Sequence, residues 1–476
     1  MTGYEKIKQM AKELRCRIPD LLVMAPQNDP FYSGSETRKT MAHWFANLWE
    51  EFSYTTNVHI RRVHYQIIST VLHKHDGRVY QNTDNDWGYL CTASAQARYL
   101  GLVPADAIVD HKNPKPHIYL FSGYEGTYDW HIEFPDWKMP TINTYLPGVD
   151  IDIYYTPYLE MPYPVFYGYE YHHSLQPFHL EVWCEKSTMN DVLVPLCEQY
   201  HVNLVTGEGF LSITSVIDLL KRVRRINKPV RIFYISDFDP AGDSMPFAIS
   251  RQIEYWVDNG MDIKLKRLAL TTEQVKHYRL PRVPIKESDR RKDSFEERYG
   301  EGAVELDALE ALYPGELGRI VSEAIEPYLD KHLEHKLHKV NREAGEELDE
   351  AVQEVVADYT GDIEEVERKI ERIVREYKKQ LSGLANEVEE KLAPYRDKLR
   401  DISAKLEEDL SPFYRDLESL RQDIKNRVDN IKVEVHLPEP TTDADGDDWL
   451  FDSSRDYWSQ LEVYKAHKNG RVNRDS

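Results

Sequence analysis

Between residues 179 and 271 apolar strand-like runs alternate with amphipathic helical runs, and few architectures tolerate that order. HLEVWCE, VNLVTGE, VRIFYISDFD and IKLKRLALT read as strands. STMNDVLVPLCEQY, SITSVIDLLKRVRRI and GDSMPFAISRQIEYWVDNG read as the helices between them. Consecutive strands joined through helices form a parallel sheet covered on both faces. Such sheets place functional groups at the carboxyl ends of their strands.

Acidic residues fall at those ends. Glu185 closes the first strand, and Asp237 and Asp239 close the third. In a doubly wound sheet the two ends are neighbours. An Asp-x-Asp pair in an extended segment turns both side chains to one face. Three carboxylates together suit a hard cation such as Mg²⁺, which keeps waters that a phosphate can displace. Gly242 permits a tight turn into a helix whose N-terminus can face a phosphate. DFDPAGD is also readable as a capped turn and nothing more.

The segment before the sheet is helical. Residues 36–53 and 58–72 carry apolar residues at helical spacing, among them Ile60, Val63, Ile67, Ile68 and Val71. A polar turn HKHDGR follows, then a helix over 87–100, Gly101 and a short extended AIVDH. That order predicts a winged helix-turn-helix, a module that binds DNA or mediates protein contacts. Residues 115–178 are dense in Tyr, Pro and Trp and read as an aromatic-packed connector, with base stacking as the alternative. From Ile363 to Ile431 apolar residues recur every three or four positions, which predicts a long helix or a helical hairpin, with Pro394 and Pro412 as breaks or kinks. A hairpin, a second copy and a different protein are all open as the cover for that stripe. LPEPTTDADGDD reads as an acidic linker, and Trp449, Leu450, Phe451 and Trp458 as a docking peptide.

Composition narrows the class further. The net charge of −22 argues against nonspecific nucleic-acid binding, yet Arg61-Arg62, Lys221-Arg222 with Arg224-Arg225, and Arg290-Arg291-Lys292 form local basic clusters. The 4 cysteines make no CxxC pair, against a zinc site or a disulfide scaffold. No apolar run approaches the roughly 20 residues of a membrane span. The opening MTGYEKIKQMAKELRC has no apolar signal core, so secretion is not expected and a reducing cytoplasm fits.

Taken together, the acid at the first strand end, TGEGFLSITS at 206–215 and DFDPAG resemble a Toprim domain. The resemblance is to the version in the topoisomerase VI A subunit and the meiotic double-strand-break proteins. VPIKESDRRKDSF and AVELDALEAL are similar to the region after Toprim in related phage and bacterial proteins. The fold implied is an α/β Toprim domain, a Rossmann-like parallel sheet, preceded by a winged helix and followed by a coiled-coil-like tail. The expected segments are a helical 1–35, the winged helix at 36–114, the connector at 115–178, and Toprim with its extension at 179–330. A long helical region at 331–436 and an acidic linker and tail at 437–476 complete the chain.

In that family the winged helix carries a nucleophilic tyrosine in a motif like R-[DE]-[IL]-[YF]-Y. Here Arg61-Arg62-Val63-His64-Tyr65 keeps the arginine and the tyrosine, while Arg62 replaces the acid and His64 an aromatic. The resemblance implies attack of Tyr65 on a backbone phosphate to give a 5′-phosphotyrosyl intermediate. It also implies Arg61 assisting, Mg²⁺ held by Glu185, Asp237 and Asp239, and a homodimer acting on double-stranded DNA. Arg61, Arg62 and Arg98 are the expected DNA contacts. A phenol titrating near ~10 needs such help to attack. His64 is a possible proton shuttle. In the other reading Tyr65 is a core aromatic and His64 faces solvent. No GxxxxGK[ST] loop or GHKL-type ATPase is legible, so a topoisomerase activity implies an ATPase partner subunit. The alternatives are a Toprim endonuclease that uses water and a non-catalytic DNA-binding or assembly protein.

Overall fold

The computed structural model describes residues 3–110, 113–120, 126–143, 152–156, 158–207, 212–388, 395–444 and 448–469. It is a mixed α/β chain of two compact units, Met1–Tyr124 with His172–Lys331 and Pro440–Ser476, and Glu125–Tyr171 with His332–Glu439. No helix among the described residues is long and apolar enough to cross a membrane.

The first unit is built on a five-stranded sheet. Its strands are β1 (His179–Cys184), β2 (Asn203–Thr206), β3 (Val230–Ile235), β4 (Ile263–Ala269) and β5 (Phe451–Asp452). The order across the sheet is β5-β4-β3-β1-β2. The first four are mutually parallel, and β5 adds antiparallel to β4. Every residue of β1, β2 and β3 is buried, as the continuous apolar runs require of strands covered on both faces. One face packs Leu180, Val182, Phe233 and Ile235 under Leu193, Leu317 and Val321. The other packs Trp183, Ile232 and Tyr234 under Val216, Leu220 and Ile249.

The chain's ends close this second face. Ile7 of the helix Gly3–Leu14 and Leu461 and Tyr464 of the helix Tyr457–Lys468 enter the same core. Arg251 pins them. It is fully buried, bonds Asp29 at 3.0 Å and the Tyr457 hydroxyl at 2.9 Å, and lies 4.1 Å from the Phe31 ring centroid. The docking peptide expected near Trp449 therefore docks on its own chain, as an edge strand and a helix.

The helices Glu36–Glu51, Ile60–Thr70 and Asp84–Tyr99 enclose a separate core of Phe45, Trp49, Val63, Ile67, Leu90 and Ala97. Val58–His59 pairs in parallel with Ile108–Val109 beside them. Val71, expected on the apolar stripe, instead caps the second helix with φ of 52° and is exposed. Tyr99 stacks on Trp256 with ring centroids 4.6 Å apart, and Lys221 pairs with Asp106 at 2.5 Å, so this module is fastened to the sheet's helices.

The second unit answers the question of the apolar stripe. The helices Leu333–Val388 and Tyr395–Val428 pair side by side. Ile363 meets Ile424 and Val428, and Val366, Ile370, Tyr377 and Leu384 share a core with Leu399, Leu406, Leu410 and Leu417. This is an antiparallel hairpin. The helix is unbroken through Pro412, where a break or a kink was expected; the break or kink expected at Pro394 lies outside the described residues. Residues 125–171 of the aromatic segment belong to this unit, and its ends, 115–124 and 172–178, to the first; Asp129–Glu133 and Tyr163–Tyr167 form a two-stranded sheet. Trp130 and Phe166 pack there on Leu348 and Val352. Gly168 is required at this contact, because a Cβ there would lie 2.3 Å from the Asn341 side chain.

Candidate metal and phosphate site

The acidic site is assembled at the carboxyl ends of β1 and β3. Pairing of Cys184 with Ile235 leaves Glu185 and Asp237 just beyond the last paired rungs, and Glu185 N–H donates to the Ile235 carbonyl at 3.1 Å. Asp239 then caps the helix Pro240–Trp256, its Oδ1 accepting from Gly242 N–H at 2.6 Å. Gly242 is indispensable to this turn, since a Cβ there would stand 2.1 Å from the Asp237 carbonyl oxygen. The TGEG turn after β2 lies in part outside the described residues.

Crowding of these carboxyls shows in their protonation. Burial, then the charges of Asp237 and Asp239, pushes the Glu185 carboxyl far above the usual carboxylate range. Its Oε2 is buried without a hydrogen-bond partner among the described residues. Burial also raises Asp237, against the Lys186 ammonium and the Leu306 N–H that favour its charge. Lys186 pairs with Asp237 at 2.8 Å, with Asp307 at 2.9 Å, and with Glu305. Those bonds outweigh the effect of its burial and hold the ammonium charged.

Glu305 and Asp307 were not anticipated as site residues. Phe238 and Val304 exchange backbone hydrogen bonds of 2.9 Å in each direction, and Leu306 N–H donates to Asp237 Oδ1 at 2.6 Å. That bridge lays Glu-x-Asp against Asp-x-Asp. Asp237, Glu305 and Asp307 consequently offer oxygens within 4.8 Å of one another. The repeated acid-x-acid spacing in AVELDALEAL was the available signal. A group of acids sharing one lysine carries surplus negative charge, and an unpartnered buried oxygen on Glu185 adds a free donor atom. The residues therefore fit a hard divalent cation.

A basic groove of about 1040 Å³ is lined by Lys286, Arg290, Arg291, Arg298 and Lys468 together with Asp243 and Asp289. Arg291 feels the Asp239 charge, after that of Asp289, so the groove and the acidic site are electrostatically linked.

On the N-terminal module Tyr65 is 64% exposed, which removes the reading of it as a core aromatic. Arg61 and Arg62 are exposed as well. His64 is the buried neighbour. Its Nδ1 lies 2.7 Å from the Tyr80 hydroxyl and its Nε2 3.2 Å from Asn82 Oδ1. Both ring nitrogens are engaged, so His64 neither faces solvent nor stands free to shuttle a proton. The signal was present in the helical period: residue 64 is four positions after Ile60 and belongs on the buried stripe. Arg98 also departs from expectation. Its Nε and Nη1 are buried, and the side chain lines a cavity that Arg61 also lines, while Arg62 does not. Comparison of the chain with protein-family models finds no match, and comparison with curated proteins finds none.

Proposed function

We propose that the chain is a Mg²⁺-dependent DNA-cleaving protein of the topoisomerase VI A-subunit type, with a winged helix carrying Tyr65 and a Toprim domain carrying the acids. The observation that carries this reading is that Glu185 and Asp237 stand hydrogen-bonded at adjacent strand ends within reach of the Asp239 charge, with a buried Glu185 oxygen left without a partner among the described residues, although the acids whose oxygens lie within 4.8 Å of one another are Asp237, Glu305 and Asp307. The parallel sheet and the helix-rich module before it support the two domain assignments.

Glu185, Asp237 and Asp239 would hold Mg²⁺, with Glu305 and Asp307 adjoining. Such an ion, when bound, supplies positive charge to the phosphate oxygens during displacement. The chain's own residues do the rest. Lys186 fixes Asp237, Glu305 and Asp307 relative to one another. Arg290, Arg291 and Arg298 offer cations along a DNA backbone leading to the acids. The exposed Tyr65 hydroxyl is the attacking group, with Arg61 four residues earlier on the same helix face. Family resemblance supplies the homodimer, in which one subunit's tyrosine serves the partner's acids, and the ATPase partner subunit.

Hydrolysis by water at the same acids is the second reading. It is favoured by the engagement of His64, which leaves Tyr65 without the base beside it that the sequence offered. End analysis separates the two. After incubation with Mg²⁺ and end-labelled DNA, detergent denaturation should release DNA with protein on its 5′ ends. Free ends would assign the chemistry to water.

A further inference from the structure

A second cavity, of about 550 Å³, lies between the N-terminal module and the start of the helix Ile213–Ile226. None of its lining residues belongs to the acidic site. Its polar wall includes Arg98, Ser94 and Arg61, and its apolar wall includes Trp87, Ile60 and Ile108. Two features of the polar wall are out of balance. Arg98 Nε and Nη1 are buried and have no hydrogen-bond partner among the described residues. Ser94 is 1% exposed, and its Oγ is equally without one.

Buried guanidinium groups are ordinarily held by carboxylates in fork-to-fork pairs. Asp110 also lines the cavity and its charge favours the Arg98 cation, but its two oxygens take the Asn113 N–H at 3.3 Å and the Asn113 side-chain amide at 2.6 Å. Burial lowers the Arg98 pKa only to about 10, so the group is charged at neutral pH. A buried cation with two nitrogens lacking acceptors, and a hydroxyl lacking a partner, among the described residues, describe one missing ligand. It brings acceptor oxygens and negative charge to Arg98. The indole of Trp87 and the aliphatic wall are suited to a flat, weakly polar ring at its other end.

We infer that this cavity is a binding site for a phosphomonoester borne on a nucleoside, with the phosphate on Arg98 and Ser94 and the base against Trp87. Two sources share that chemistry: a free nucleotide and the phosphorylated end of a DNA strand. The site contains none of the acids and needs no divalent ion, although it shares Arg61 with the proposed tyrosine chemistry.

The test is calorimetric titration of the full chain in EDTA, with inorganic phosphate, the four deoxynucleoside 5′-monophosphates and a 5′-phosphorylated tetranucleotide as probes. Saturable binding is expected, with at least one nucleotide probe tenfold tighter than inorganic phosphate. A tetranucleotide preferred over every mononucleotide would assign the site to strand ends, and the reverse to free nucleotides. Arg98→Met should fold, melt no lower than the parent without ligand, and bind at least tenfold more weakly. Ser94→Ala should weaken binding several-fold without loss of fold. Absence of saturable binding up to 10 mM (roughly the millimolar limit of specific recognition) would overturn the inference. So would unchanged affinity in both variants, or a ligand-free melting temperature that collapses in Arg98→Met, which would show the guanidinium paired within the chain.

Discussion

Glu181 shows how a single buried charge is made tolerable in this sheet. It lies mid-strand in β1, fully buried, and takes Arg222 Nε and Nη2 at 3.0 and 2.9 Å, Trp183 Nε1 at 2.8 Å and His179 Nε2 at 2.9 Å. Burial alone would raise its carboxyl, but the Arg222 charge and the hydrogen bonds from His179 and Arg222 leave it well below the usual range. A depressed folded pKa contributes stability that is complete above the unfolded value near ~4.3 and is lost as pH falls through the folded value. Arg222→Met strands the carboxylate and should cost about 3–5 kcal/mol at pH 7. In that variant burial would dominate and raise the carboxyl, so stability would be lost as pH rises instead. The gap between parent and variant in chemical denaturation should therefore shrink from pH 7 to pH 4; a constant gap would contradict the pairing. Tyr65 is the other decisive residue. Tyr65→Phe removes one exposed hydroxyl and should leave the melting temperature within ~1 °C, since surface changes stay within about ±0.5 kcal/mol. If Tyr65 attacks, DNA cleavage disappears; full cleavage in this variant would transfer the chemistry to water.

At the scale of elements, strand–helix alternation made β1 to β4 and their terminal acids legible, because buried parallel strands are written as unbroken apolar runs. Glu305 and Asp307 were not legible as partners of Asp237. They lie more than sixty residues downstream, and a single isolated bridge from Phe238 to Val304 brings them back. β5 was hidden for a similar reason: two residues, Phe451 and Asp452, carry no period. The hairpin was legible both as a stripe and as a helical region from 331, close to the observed start at Leu333. Pro412 does not break the helix, because the paired stripe on both sides of it outweighs local propensity. The hairpin yields its own prediction. Leu410 is fully buried in that stripe, and Leu410→Ala should destabilise by about 2–5 kcal/mol in thermal or chemical denaturation. A loss below about 1 kcal/mol would mean the helices do not pack as described.

For the whole molecule, the question is whether the gathered acids are a working metal centre or a lysine-bridged structural cluster. Divalent binding to the folded state alone raises stability by RT ln(1 + [L]/Kd), so millimolar Mg²⁺ should raise the melting temperature of the parent and not of Asp239→Ala. The direct measurement is conversion of supercoiled plasmid by the full chain in Mg²⁺, in EDTA, and with Asp237→Ala or Asp239→Ala in place of the parent. Nicked or linear DNA is expected from the parent in Mg²⁺ alone, and none from either variant. Cleavage that persists in EDTA, or in both variants, would contradict a metal-dependent centre at Glu185, Asp237 and Asp239.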